Sequence, residues 1–503
     1  MAAHGVPLFP DDVKSRMISQ ILLDPQIPRR NPTTPAWQVP PHPLAAVQSE
    51  KLGQFTDFAI IGSGVTGCSV AKTLLESPES GNRNVTIFEA RTLSSGATSR
   101  NAGFLMSHIP KYFAEFVEGS GKEEAITLAR FCDRTVQKMV DLITAQGPGA
   151  ESTVQMRNVE CILAYNETSL MENEIASFKV YQESFPEERD LYSILDRESI
   201  EKVHHLKQCA GAISMPGIVF WPYRLITGVF ESLLKSYHKR CKIETNTPVT
   251  SITYCPQTDT QYPYLLKTNR GDVRASHVFH CSNAFAGHLL PRLRGKIFPT
   301  RHTNSCQKSG PQFPNVGSQR CWLFPRRPGY DAASGLYEGP LYYMQQNAKT
   351  GDLFFGGERQ PFEEFVSADD GEVSSISKTN ISTLLPKLFT QGWNDASNVA
   401  TISPEVQCVW SGIIGSTPDH SPLVGRVPLS VAERGGEGGG EWIAAGFNGY
   451  GMVQCWSSGE AIAQMALGQP QPDWLPAAVV ISEERLSDEI RMGTETAVHS
   501  LLL

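Results

Sequence analysis

Thr56-Asp-Phe-Ala-Ile-Ile61 runs directly into Gly62-Ser-Gly-Val-Thr-Gly67, and the stretch from Val65 to Glu76 then carries apolar residues at helical spacing. The first part is a short continuous apolar run of the kind buried on both faces of a parallel sheet. Each glycine has its own physical task. Gly62 permits a tight turn, Gly64 lets the backbone approach a pyrophosphate, and Gly67 lets helix and strand lie close. Ser63, Val65 and Thr66 complete the turn at a helix N-terminus, where unpaired N–H groups and the positive dipole end favour phosphate. A second strand, Val85-Thr-Ile-Phe88, leads into Glu89, 22 residues after Gly67, the position from which an acid takes ribose hydroxyls. A GxGxxG turn alone is a weak signal. Strand, glycines, helix, strand and acid together predict a dinucleotide site in an α/β fold, and the acid disfavours a 2′-phosphate.

Outward from this unit, 503 residues exceed one simple core, so two intertwined domains are expected. Hydrophobic residues at 40% and charged residues at 19% are ordinary for a soluble globular protein. A net charge of −8 argues against nucleic acid or an anionic membrane as partner. No stretch approaches the roughly 20 apolar residues of a membrane span, and the N-terminus lacks the pattern of a secretory signal. The eleven cysteines are scattered with no CxxC pair, which points to reduced thiols in the cytoplasm and to no metal site.

Residues 1–50 are rich in proline, which removes backbone donors and favours an extended arm. Trp37, Leu44 and Val47 suit docking onto the globule; a solvated tail is the alternative, with a short helix around Asp11–Leu23. Amphipathic helices are expected at Lys122–Ala145 and Ser169–Ser184. The remaining pieces read as a nucleotide-binding domain in three segments, 51–155, 221–296 and 401–480. A substrate domain of mixed strands and helices is inserted at 156–220 and 297–400, with a C-terminal tail at 481–503. Arg434-Gly-Gly-Glu-Gly-Gly-Gly-Glu441 reads as a flexible hairpin tip.

Glu89-Ala90-Arg91 is followed by Leu93-Ser-Ser-Gly-Ala-Thr-Ser-Arg-Asn-Ala-Gly-Phe-Leu105. This small-residue turn, carrying hydroxyls and a cation close to the phosphate site, resembles the loop that leads to the flavin in the D-amino-acid-oxidase-like family of FAD-dependent oxidoreductases, fungal members of unassigned substrate especially. Thr247-Pro-Val-Thr-Ser-Ile252 resembles that family's adenine-contacting strand. His277-Val-Phe-His-Cys-Ser-Asn-Ala-Phe-Ala286 resembles the strand and turn that return to FAD. Trp410-Ser-Gly-Ile-Ile-Gly-Ser-Thr-Pro-Asp419 resembles the segment over the ring, and Trp442-Ile-Ala-Ala-Gly-Phe-Asn-Gly-Tyr-Gly-Met452 the final strand, turn and helix start. The matching pieces run from about Phe58 to Gly468.

The resemblance implies a Rossmann-like FAD-binding domain with an inserted α+β substrate domain that contains an antiparallel sheet. It implies FAD contacts at Ser95, Ala97, Thr98, Arg100, Asn101, Ala102 and Gly103, then at Val249, Ser282 and Asn283. Later contacts would come from Gly412 and Asp419, and from Phe447, Asn448, Gly449, Tyr450, Gly451 and Met452. A helix beginning near Gly449–Met452 would aim its N–H groups at the flavin's N1–C2=O edge, where negative charge collects on reduction.

The chain departs from the family where chemistry is decided. Arg100 stands where some relatives attach FAD through a His, and Gly412 where sarcosine oxidases use a Cys, so noncovalent FAD is expected. Ile414 replaces the Arg with which glycine and D-amino-acid oxidases clamp the substrate carboxylate, and Val453 replaces the Lys of sarcosine oxidases. Arg301 is the main candidate for a substitute anchor; Arg224 and Arg326 are weaker ones. His302 and Lys308 are weighed as cations for oxygen, against surface roles. In the hairpin Tyr342-Tyr-Met-Gln-Gln346, Tyr343 and Gln345 share one face. Tyr343 and Tyr450 are pocket candidates, with core packing as the plain reading of Tyr343. The expected reaction is oxidation of a C–N bond of an amine by hydride transfer to the flavin, with O2 as acceptor and hydrogen peroxide as product. Oxidation of a C–O bond, and a noncatalytic flavin-binding protein, are the alternatives.

Overall fold

A computed structural model describes residues 9–393, 403–435 and 440–502. The glycine-rich tip expected within Arg434–Glu441 falls largely on 436–439, outside the described residues.

The Phe55–Ile61 strand forms as read, and it is central. It pairs in parallel with Val85–Phe88 on one side and Gly271–His280 on the other. The sheet extends through Cys241–Glu244 at one edge and through Glu441–Ala445 and Leu423–Arg426 at the other. A hairpin of Val249–Tyr254 and Tyr264–Thr268 is attached to the start of Gly271–His280. Helix Val65–Glu76 covers this sheet and packs against helix Cys455–Ala466. Glycine makes that approach possible: a Cβ on Gly67 would lie 2.0 Å from Gly62 O, and one on Gly459 would lie 2.7 Å from Thr66 O. Helix Lys122–Ala145 forms over the expected range, with Glu123 and Glu124 in its first turn, where the helix dipole favours acids. The second amphipathic helix is Thr168–Ser184.

The second sheet is mostly antiparallel. In spatial order its strands are Val406–Ser416, Phe298–Gln307, Leu353–Gly356, Leu341–Gln346, Arg320–Pro325, Arg157–Tyr165, Gly211–Val219 and Ser193–Leu195. One boundary differs from that expected from sequence. Val406–Ser416 falls within the 401–480 segment expected in the nucleotide-binding part, yet along its length it pairs with Phe298–Gln307 in the second sheet. Within the C-terminal tail, Ala497, Val498, Leu501 and Leu502 bury their apolar side chains in one cluster with Met17 and Ile21 of helix Asp11–Ile21.

The docked reading of the arm prevails over the solvated one. Trp37 is buried, stacked at 4.0 Å on Phe354 and edge-on to Trp221 at 5.3 Å. Its indole N–H donates to Asn101 O at 2.5 Å, and Trp221 Nε1 donates to Trp37 O at 2.7 Å. Leu44 and Val47 pack on the main core. Between them and the helix, Thr33 receives Arg100 Nη2 on its carbonyl at 2.7 Å and Ser411 N–H on its hydroxyl at 3.0 Å.

The closing helix is a further difference. Asn448 and Gly449 take positive φ (52° and 83°), which no α-helix accommodates. A 3₁₀ turn at Gly451–Val453 follows, and the α-helix starts only at Cys455.

Candidate functional site

One cavity of about 460 Å³ joins the glycine turn of the first sheet to the face of the second. At its first end, Gly62, Ser63, Gly64, Val65 and Thr66 form a wall. Thr98 Oγ1 accepts the Val65 N–H at 3.0 Å and so anchors the flanking loop to the start of the helix. Glu89 is buried; its carboxylate accepts Ser63 N–H at 3.2 Å, Ser63 Oγ–H at 2.6 Å and Arg91 N–H at 2.9 Å. Three donors hold it beside the turn. Ala90, Arg91 and Val249 continue this end, and Gln26, Ile27 and Pro28 of the arm also line it.

The middle is built from Ala97, Thr98, Arg100, Asn101 and Ala102 on one side and Ser282, Asn283 and Gly412 on another. Phe447 through Met452 close it. Two asparagines in left-handed conformation tie this turn down. Asn283 Oδ1 accepts Gly446 N–H at 2.8 Å, and Asn448 Oδ1 accepts Thr417 N–H at 2.8 Å.

Several expected contacts lie elsewhere. Gly67 serves helix–strand packing and does not line the cavity. Gly103 has φ +79° with Phe220 O 2.5 Å from where its Cβ would be, a turn requirement outside the cavity lining. Ser95 also stands back: its carbonyl accepts Arg100 Nε at 3.0 Å and Arg91 Nη2 at 3.3 Å. Asp419 corrects the sequence reading more strongly. It is held bidentately by Arg485 (3.0 Å to each oxygen) and by Arg491 at 2.6 Å, away from the cavity. The guanidinium groups of Arg91 and Arg100 are spent on the fold: both reach the buried Asp370, at 2.8 and 3.4 Å. Burial pulls Arg100 down to about 10, with Asp370 opposing.

Arg301 is the second correction. Along Phe298–Gln307 side chains alternate, and it is His302 and Asn304 that face the cavity. Arg301 lies on the reverse face, paired with Glu364 at 3.2 Å and with Asp369 O at 3.4 Å. Arg224 stacks on Trp221 at 3.5 Å, Arg326 pairs with Glu338, and Lys308 pairs with Asp352 at 2.9 Å; none lines the cavity. Ile414 and Val453 both line it. His302 sits inside the site, and burial pushes it down to about 4, so it is neutral near pH 7 and offers no cation.

Sequence reasoning missed Glu358. It is 2% exposed, lines the cavity, and is pushed well above the ordinary carboxylate range by burial. Thr303 N–H, Gln360 Nε2 (2.6 Å) and Ser377 Oγ (3.5 Å) point at its oxygens, and His302 Nδ1 is 3.8 Å away. Tyr343 lines the cavity beside it, as one of the two readings of that hairpin had it. Tyr450 also lines it, its ring stacked at 3.5 Å on His108.

FAD fits these residues. Gly64 lines the cavity at the helix start with only Thr98 Oγ1 within 4 Å of where its side chain would begin, and Ser282 Oγ is a buried hydroxyl on the cavity wall with no protein partner. Glu89 faces the same wall as an acceptor-only group suited to a ribose diol. Glu89→Ala is expected to weaken FAD binding about ten- to a hundredfold, because charged hydrogen bonds contribute about 1.5–3 kcal/mol. Fluorescence titration of apoprotein reads this directly; unchanged affinity would mean the ribose lies elsewhere.

The model of the family described as FAD dependent oxidoreductase (DAO) matches residues 57–465. No curated protein matches the chain by sequence. Among solved structures, glycine oxidase from Geobacillus kaustophilus aligns with a TM-score of 0.62 at 18% identity, covering 86% of this chain and 99% of that one. Iminodiacetate oxidase from Chelativorans sp. BNC1 gives 0.60 at 17% identity, covering 82% and 96%. L-amino acid deaminase from Proteus vulgaris gives 0.58 at 15%, covering 88% and 98%. These likenesses establish the shared fold.

Proposed function

Because the chain belongs to the DAO family of FAD-dependent oxidoreductases, we propose that it oxidises a C–N bond of an amine or amino-acid-derived metabolite, with O2 as acceptor and hydrogen peroxide as product. The observation that carries this reading is the single cavity that runs from the glycine turn to the second sheet, so that one small molecule can meet the cofactor's reactive end. Bound FAD supplies hydride acceptance from the carbon bearing nitrogen.

The chain's own residues do the rest. Gly62 to Val65 and the helix they open would hold the pyrophosphate, and Glu89 the ribose. The 3₁₀ turn Gly451–Val453, at the cavity wall, would present N–H groups toward developing negative charge. The second sheet closes the site from water and positions the substrate with Tyr343, Asn304 and Glu358. All eleven cysteines are free thiols, which fits the cytoplasmic placement proposed here. Among the described residues no helix is long and apolar enough to cross a membrane.

We further propose noncovalent FAD. Arg100 cannot form the histidyl bond, and at Gly412 the position has no side chain, with Arg100 Cβ 3.1 Å from where one would start. Acid precipitation of the purified protein is expected to leave the yellow colour in the supernatant; colour in the pellet would refute noncovalent attachment.

The apolar pair Ile414 and Val453 favours, as second reading, C–O oxidation of a complex metabolite. Anaerobic mixing with panels of amines and of alcohols separates the two. Loss of oxidised flavin absorbance with amines supports the first reading, and loss only with alcohols supports the second. No loss with either would leave a noncatalytic flavin-binding protein.

A further inference from the structure

Cross-strand register lays one row of side chains across the second sheet. Asn304 is opposite Gly356, Gly356 opposite Tyr343, Tyr343 opposite Leu323, and Leu323 opposite Leu163. The row crosses four strand spacings of about 4.8 Å, about 19 Å in all. A Cβ on Gly356 would lie 2.5 Å from both Asn304 Oδ1 and the Tyr343 ring, so the missing side chain is what lets that ring lie along the row. All but Gly356 line the cavity, and Glu358, two residues on from it, lines the cavity at the polar end. Beyond Tyr343 the row is apolar, and Phe104 and Phe178 belong to the same apolar cluster as Leu163 and Leu323.

The charges are distributed unevenly along this path. At the polar end Glu358 receives three donors, yet the only basic side chain within 4.0 Å of its carboxyl oxygens among the described residues is the neutral His302. Burial holds the Glu358 carboxyl well above the ordinary carboxylate range, with Arg301 opposing from behind the strand, so an arriving ammonium ion is what would favour its ionised form among these donors. Arg301, behind the strand, is committed to Glu364, and Lys111, toward the far end, is held by Glu174 at 3.1 Å.

We propose that the cavity takes a hydrophobic amine, its ammonium group paired with Glu358 and its apolar body lying along the row from Tyr343 to Leu163. This rests on the amine-oxidising reading of the same site. It goes further in naming both the residue that selects the charged end and the surface that selects the length.

The test is anaerobic binding to the FAD-loaded enzyme, read from perturbation of the oxidised flavin spectrum and from calorimetry, with n-decylamine, n-butylamine, decan-1-ol and decanoate as probes. Each buried methylene tightens binding by roughly three- to fourfold. Decylamine is therefore expected to bind at least about thirtyfold more tightly than butylamine, and at least about tenfold more tightly than decanol or decanoate. Glu358→Gln should remove the preference for decylamine over decanol, read as the ratio of the two affinities in the same variant. Leu323→Gln should weaken decylamine more than butylamine, narrowing the ratio of their affinities. Equal binding of the two amines, or tighter decanoate than decylamine, overturns the proposal in wild-type protein without recourse to any variant. A preference that survives in Glu358→Gln overturns the role of Glu358. Binding is scored apart from bleaching: decylamine bound without turnover of any amine sinks the functional reading alone, and amines turned over without decylamine binding sinks this inference alone.

Discussion

Gly64→Val is expected to abolish FAD loading while the protein still folds. At Gly64 the backbone has φ −75° and ψ −170°, an extended conformation that valine adopts readily. The Cβ would meet only Thr98 Oγ1, at 3.0 Å, within 4 Å. The fold therefore loses about 1–3 kcal/mol from local overpacking. The cofactor loses much more, because the branched side chain fills the space through which the pyrophosphate reaches the helix N-terminus. A fall in FAD affinity of at least about a hundredfold, about 2.7 kcal/mol, is expected. Circular dichroism and the melting curve of the apoprotein monitor folding, and flavin content per chain monitors loading. Wild-type flavin content in a folded Gly64→Val would show that the phosphates do not pass there.

The second large effect concerns the substrate's head group. An ionised carboxylate buried without a partner is costly, and the cavity presents Ile414 and Val453 where relatives present cations, with Arg301 turned away. For an amino acid against its methyl ester or decarboxylated analogue, kcat/KM is expected to favour the neutral form by about a hundredfold. Ile414→Arg should shift that ratio toward the free acid, since a guanidinium binds carboxylate bidentately. Arg301→Ala should leave it unchanged. A hundredfold wild-type preference for the free acid, lost in Arg301→Ala, would falsify the apolar assignment and make Arg301 the clamp.

What the sequence makes legible is what is local. From Phe55 to Arg91 the turn, the helix start and the acid follow from spacing alone, because each element is fixed by its immediate neighbours. Strand facing was harder at Phe298–Gln307. Its Thr-Arg-His-Thr-Asn-Ser run is polar on both faces, so no alternation of apolar residues marks which side meets the cavity, and Arg301 was weighed on the wrong one. Asp419 looked like a ring contact because its partners, Arg485 and Arg491, lie 66 and 72 residues further on. Glu358 was hidden for the same reason: its importance comes from register with Thr303, a strand away. The delayed start of the last helix follows from two consecutive positive φ values, which the Asn-Gly pair signals but the helical spacing after it conceals.

The strap formed by Thr33 and Trp37 has a consequence for the order in which the molecule is assembled. It is synthesised before its seat, which comprises Asn101, Phe354, Asp370 and Ser411. More than three hundred further residues must emerge before the seat exists, so the strap settles after most of the globule has been made. Gln26, Ile27 and Pro28, just ahead of it, then form part of the cavity wall. Completion of that part of the wall therefore waits until the strap has found its seat.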